Sequence, residues 1–153
     1  NATLTAIPLG KPVLVRPGTM MVKIQSDPRT FAVEPGDYTI RWVPTEAVAV
    51  ALYGANWNKR IIDIEPTYWS RFTMGSDLTV ALHPAGSVLK DAAGAKFYYD
   101  GANKRAFASD AAFKANMFQE KYVINNPSST GWSSATAGAA ITGFEDALFS
   151  LQR

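Results

Sequence analysis

A diverged internal repeat constrains this chain more than any other feature, because each copy must bury its apolar residues within itself or against the other. The run Pro17-Gly18-Thr19-Met20-Met21-Val22-Lys23 returns as Ala85-Gly86-Ser87-Val88-Leu89-Lys90. Thr30-Phe31-Ala32-Val33 answers to Lys96-Phe97-Tyr98-Tyr99, and Arg41-Trp42-Val43-Pro44-Thr45-Glu46-Ala47 to Arg105-Ala106-Phe107-Ala108-Ser109-Asp110-Ala111. A closing element, Thr73-Met74-Gly75-Ser76-Asp77-Leu78-Thr79, matches Thr136-Ala137-Gly138-Ala139-Ala140-Ile141-Thr142. A third copy of it, Ile7-Pro8-Leu9-Gly10-Lys11-Pro12-Val13, precedes the first body. Residues 1–14 therefore read as the tail of a missing repeat, 15–79 as the first repeat and 80–153 as the second.

Each body predicts the same local structure. Met20–Ile24 and Val88–Leu89 read as opening strands, Phe31–Val33 and Phe97–Tyr99 as returning strands, and Tyr38–Val43 and Lys104–Phe107 as third strands. Glu34-Pro35-Gly36-Asp37 and Asp100-Gly101-Ala102-Asn103 supply the tight reversals between strands two and three. Thr45 and Ser109 stand where a side-chain oxygen caps a helix, with Glu46 and Asp110 beside its positive end. The expected class is α+β, rich in strand: two tandem repeats, each a small antiparallel meander plus one short helix. Ile61–Ile64 and Tyr122–Ile124 suggest a further strand per unit. The polar run Asn125–Gly131 reads as the flexible part of the chain.

Composition narrows the function classes. Fifteen Lys and Arg against 13 Asp and Glu leave a net charge of +2 without a basic stripe, so no nucleic-acid partner is expected. The charged fraction, 18%, lies below that of ordinary soluble domains and suggests surface spent on protein contacts. With no cysteine, thiolate metal sites and thiol nucleophiles are excluded. The single histidine, His83, precedes Pro84 at the junction of the repeats and reads as a surface turn residue. Glu34, Asp37, Glu46, Asp63 and Glu65 offer carboxylates, yet none lies in a recognisable catalytic motif. No catalytic, cofactor or metal residue is assigned, and the chain is expected not to be an enzyme.

Aromatic side chains are the remaining resource. Trp42 and Phe107, just before the helices, read as core. Trp57, Trp69 and Trp132 fall in irregular segments and are candidate contact residues for an interface or for the faces of sugars. Ala2, Leu4 and Ala6 alternate with Thr3 and Thr5 in the manner of a half-buried strand, and with Ile7 and Leu9 they complete the set of candidate assembly contacts.

The repeated Gly-Thr/Ser-apolar-apolar-Lys opening, the Phe31-Ala32-Val33-Glu34-Pro35-Gly36 turn and Ala51-Leu52-Tyr53-Gly54-Ala55-Asn56-Trp57 together resemble a family of secreted bacterial repeat proteins, surface-layer-like and common in candidate-phylum bacteria. The resemblance implies an extracellular module at the cell surface and carries no catalytic residues. The expected function is a non-catalytic extracellular structural protein that self-assembles head to tail into a filament or surface layer, with donation of the N-terminal strand as one route. The alternative is a repeat module that binds cell-wall or other glycan. Expected partners are copies of the chain itself, and glycan under the alternative; no stretch is apolar enough to span a membrane.

Overall fold

A computed structural model describes residues 15–125 and 127–148. Within them the repeat is visible as two five-stranded mixed sheets of the same topology. The first comprises β1 (Met21–Ile24), β2 (Asp27–Val33), β3 (Thr39–Trp42), β4 (Ile61–Asp63) and β5 (Thr73–Met74), in the order β4-β1-β2-β3-β5. The second comprises β6 (Val88–Lys90), β7 (Lys96–Tyr99), β8 (Asn103–Ala106), β9 (Ile124–Asn125) and β10 (Thr136–Ala137), in the order β9-β6-β7-β8-β10. The α+β, strand-rich class stands. Each expected meander forms the antiparallel centre of its sheet, and each gains a parallel strand on both edges.

The helices follow the meanders as their caps dictate. Thr45 accepts from the Val48 N–H and starts α1 (Glu46–Tyr53); Ser109 accepts from the Ala112 N–H and starts α3 (Asp110–Ala115). Two shorter helices precede the closing strands, α2 (Pro66–Trp69) and α4 (Thr130–Ser134). The presence of α4 alters the reading of Asn125–Gly131 as flexible. Ser129 is buried, caps α4 through the Trp132 N–H, and Gly131 donates from its backbone to Ala81 O at 2.8 Å.

The glycine repeated in each closing element has a steric cause. Arg41 donates from Nε to Ser76 O (2.8 Å), and Arg105 from Nε to Ala139 O (2.9 Å), stapling the closing segment to the third strand. Gly75 and Gly138 lie beneath these arginines, where a Cβ would come within 3.1 Å of Arg41 Cγ and 2.9 Å of Arg105 Cγ. The same two arginines pair with Glu34 and, in bidentate fashion, with Glu145.

Helix endings differ between the units. Past α1 the chain turns on Gly54, with φ 81°, a left-handed conformation that costs glycine little. Past α3 the left-handed residue is Met117, with φ 57°. A Cβ-bearing side chain there costs about 1 kcal/mol, and Met117 is also 61% exposed, so little packing depends on it. Met117→Gly should raise stability by about 1 kcal/mol and Tm by about 3 °C. Thermal unfolding followed by circular dichroism checks this; an unchanged or lower Tm contradicts it.

Candidate functional site

Register decides which side chains share a face of each sheet, since successive residues of a strand point to opposite sides. Met21, Ala32, Arg41 and Ile61 share one face of the first sheet, and Val22, Phe31, Val33, Ile40 and Trp42 share the other. In the second sheet Val88, Tyr98 and Arg105 occupy the matching arginine face, whereas Leu89, Phe97, Tyr99 and Ile124 occupy the reverse face. The long helices cover the arginine faces: α1 with Ala49, Leu52 and Tyr53, α3 with Phe113. Both reverse faces carry an edge-to-face pair from the short helices, Phe31 with Trp69 and Phe97 with Trp132.

The units meet through unlike faces. One apolar cluster joins Met21, Ala32, Ala49, Leu52 and Tyr53 of the first unit to Leu89, Tyr99, Ile124 and Trp132 of the second. The arginine face of the first unit thus packs against the reverse face of the second. The reverse face of the first unit forms a separate cluster with Val15, Trp69 and Phe72, and the arginine face of the second forms another with Phe113, Phe118, Ile141 and Leu148. In the language of oligomers this joint is heterologous: it joins unlike faces, so the same contact could be repeated from copy to copy, in a ring where the rotation closes and in an open chain where it does not.

Polar groups fix the joint. Arg60 is buried and donates from Nη1 to Tyr122 O (2.8 Å) and Thr19 O (3.2 Å), with its guanidinium over the Tyr53 and Tyr122 rings. Burial lowers the Arg60 pKa and raises that of the Tyr53 phenol, which has no hydrogen-bond partner among the described residues. Glu34 Oε1 accepts from the Ala85 N–H at 3.1 Å, across the junction. His83 is here too, 1% exposed, so its reading as a surface turn residue is corrected. Packing of the second unit onto the first encloses the junction, and burial pushes the imidazole pKa down to about 4 against a smaller opposing effect of the Leu52 backbone. Among the described residues neither ring nitrogen has a hydrogen-bond partner.

The structure distributes the candidate residues rather than gathering them. Trp132 is 9% exposed and lies in the joint, an interface within one chain. Trp57, on a 3-10 turn (Trp57–Arg60), is half-buried against the same cluster. Trp69 is half-buried on the opposite side of the first sheet. Trp57 and Trp69 therefore cannot form one stacking platform. Trp42 and Phe107, read as core, are both half-buried and pack against the outer clusters. Ala2, Leu4, Ala6, Ile7 and Leu9 lie outside the described residues.

A groove of about 250 Å³ opens beside Trp57, lined also by Arg29, Thr30, Pro44, Glu46 and Ala49. Several of the carboxylates considered for catalysis have structural partners: Glu34 pairs with Arg41, Asp63 with Lys23, and Asp37 accepts from the Thr39 hydroxyl. Among the described residues no three histidine or carboxylate side chains converge on a point where a metal ion could sit. No helix among them is long and apolar enough to cross a membrane. Comparison with protein-family models, with curated proteins and with solved structures yields no match for the chain.

Proposed function

We propose that the chain is an extracellular structural protein, without catalytic activity, that assembles head to tail with copies of itself into a filament or surface layer. The observation that carries this reading is the heterologous joint. Two units of one topology already stack in a single direction, and the stack leaves one face of each kind at its two ends.

At three matched positions the terminal faces are less covered than their counterparts in the joint, whereas Phe31 is more buried than Phe97. Ile62, opposite Val22, is 36% exposed, whereas Ile124, opposite Leu89 in the second sheet, is 6% exposed. Trp69 is half-buried where Trp132 is buried, and Phe107 half-buried where Val43 is buried. Docking the arginine face of one copy on the reverse face of the next would remove this apolar surface from water, at roughly 25 cal/mol per Å². The extracellular setting rests on the sequence resemblance.

Strand donation gives such a contact a route. In each unit the closing element runs parallel to the third strand with its glycine beneath an arginine. Residues 7–13 carry a third copy of that element, suited to the same seat on a neighbouring copy. The present occupant in the second unit, β10, is two residues long, and an incoming strand would have to displace it together with the Arg105 staple and the backbone bonds of Ile141. Sedimentation velocity over a range of concentrations tests the reading: the intact chain should polymerise, and a chain lacking residues 1–14 should remain a folded monomer. Polymers from the truncated chain would rule out donation, and a monomeric intact chain would rule out assembly altogether.

A further inference from the structure

The groove beside Trp57 has a counterpart in the second unit, and there it is filled. Lys96 follows the same register as Thr30, because Phe97 corresponds to Phe31 one residue later. Its ammonium pairs with Asp110 at 3.1 Å and Glu120 at 2.6 Å and lies 4.2 Å from the centre of the Phe113 ring. The carboxylates hold the Lys96 pKa above its ordinary value. The second unit thus contains a complete alkylammonium site occupied by its own lysine.

The first unit keeps part of that receptor and lacks the occupant: Glu46 stands for Asp110, and no second carboxylate lines the groove in place of Glu120. Thr30 is too short to reach across the groove, which stays open. Glu46 holds the first-turn position that Asp110 holds on α3, and it has no ion-pair partner among the described residues. Ala49 replaces Phe113, and the aromatic wall comes instead from Trp57, the better ring for a cation. The one cation at the rim, Arg29, is held by Asp27 through Nε at 2.9 Å. The groove therefore combines an aromatic wall with a free carboxylate, and its remaining walls, Pro44 and Ala49, suit a methylene stem.

We propose that this groove binds the side chain of a lysine presented by another polypeptide, its ammonium between Glu46 and the Trp57 indole. Chemical-shift titration of the intact, isotope-labelled chain tests the site directly. The probes are Nα-acetyl-lysine-N-methylamide, its uncharged norleucine analogue and a neutral trimer of N-acetylglucosamine. The lysine probe should shift the Trp57 indole N–H saturably in the millimolar range, and the norleucine probe should bind about tenfold more weakly. Glu46→Gln should weaken the lysine probe by about tenfold. Thr30→Lys, which supplies the missing occupant, should abolish binding while leaving the spectrum otherwise that of a folded chain. Three results overturn the proposal: no saturable shift, equal binding of norleucine and lysine probes, or preference for the sugar. Undiminished binding to Thr30→Lys also overturns it, since the site would then lie elsewhere.

Discussion

Gly18→Ala is expected to destabilise the fold by about 4 kcal/mol or more, and Gly86→Ala by about half as much. Gly18 and Gly86 occupy the same place in their units: each donates its N–H to the end of the second strand, Gly18 to Val33 O at 2.6 Å and Gly86 to Tyr99 O at 2.7 Å. Both are left-handed, with φ 78° and 88°. Left-handed geometry alone costs an alanine about 1–2 kcal/mol. What separates the two positions is their mutual contact. A Cβ on Gly18 would lie 1.9 Å from Gly86 C and 2.2 Å from Gly86 O, so backbone must move; a Cβ on Gly86 meets the Gly18 backbone only at 3.0 Å. Forcing the backbones apart at Gly18 wedges open the joint that buries Met21, Leu52, Leu89 and Trp132. Urea denaturation measures both losses. Equal costs at the two positions would contradict the close approach of the units.

Acidification should weaken the same joint through His83. Above about pH 6.5 the imidazole is neutral in both folded and unfolded chains and stability does not depend on it. As pH falls, the unfolded chain takes up the proton, whereas the buried ring, with its pKa near 4, resists. Stability therefore falls between about pH 6.5 and pH 4, by a total of about 3 kcal/mol. Carboxylates such as Glu120 and Asp110, whose pKa values are lowered by their lysine partners, add their own loss at low pH. Comparison with His83→Leu separates the two effects. The variant should lose about 2–3 kcal/mol less than the natural chain between pH 7 and pH 4.5. Parallel stability curves for the two proteins would show that the ring is not buried as described.

The repeat was legible because its marker residues are held by close contacts that tolerate little else: Gly75 and Gly138 under their arginines, Thr45 and Ser109 at their caps. The central strands were legible from turn chemistry and alternation. The edge strands β5 and β10 have two residues each, too few for any periodicity to declare itself, and β9 (Ile124–Asn125) starts later than the strand expected over Tyr122–Ile124 because Glu120–Tyr122 forms a 3-10 turn. How the units dock was hidden for a different reason. Both faces of the first sheet are apolar, Met21 and Ala32 on one side and Val22, Phe31 and Val33 on the other, so alternation cannot say which meets a partner. The burial of His83 and Trp132 follows from that docking, and neither could be read from neighbours in the sequence. The groove at Trp57 is not legible in the sequence because its ring replaces Phe113 from a different position of the unit.

Negative-stain electron microscopy of the purified intact chain tests the central claim most directly, because a joint between unlike faces makes polar chains or rings and a joint between like faces makes two-fold dimers. The heterologous stacking of the two units predicts fibres or sheets with a single polarity along the stacking direction. Monomers, or dimers related by a two-fold axis, would contradict it.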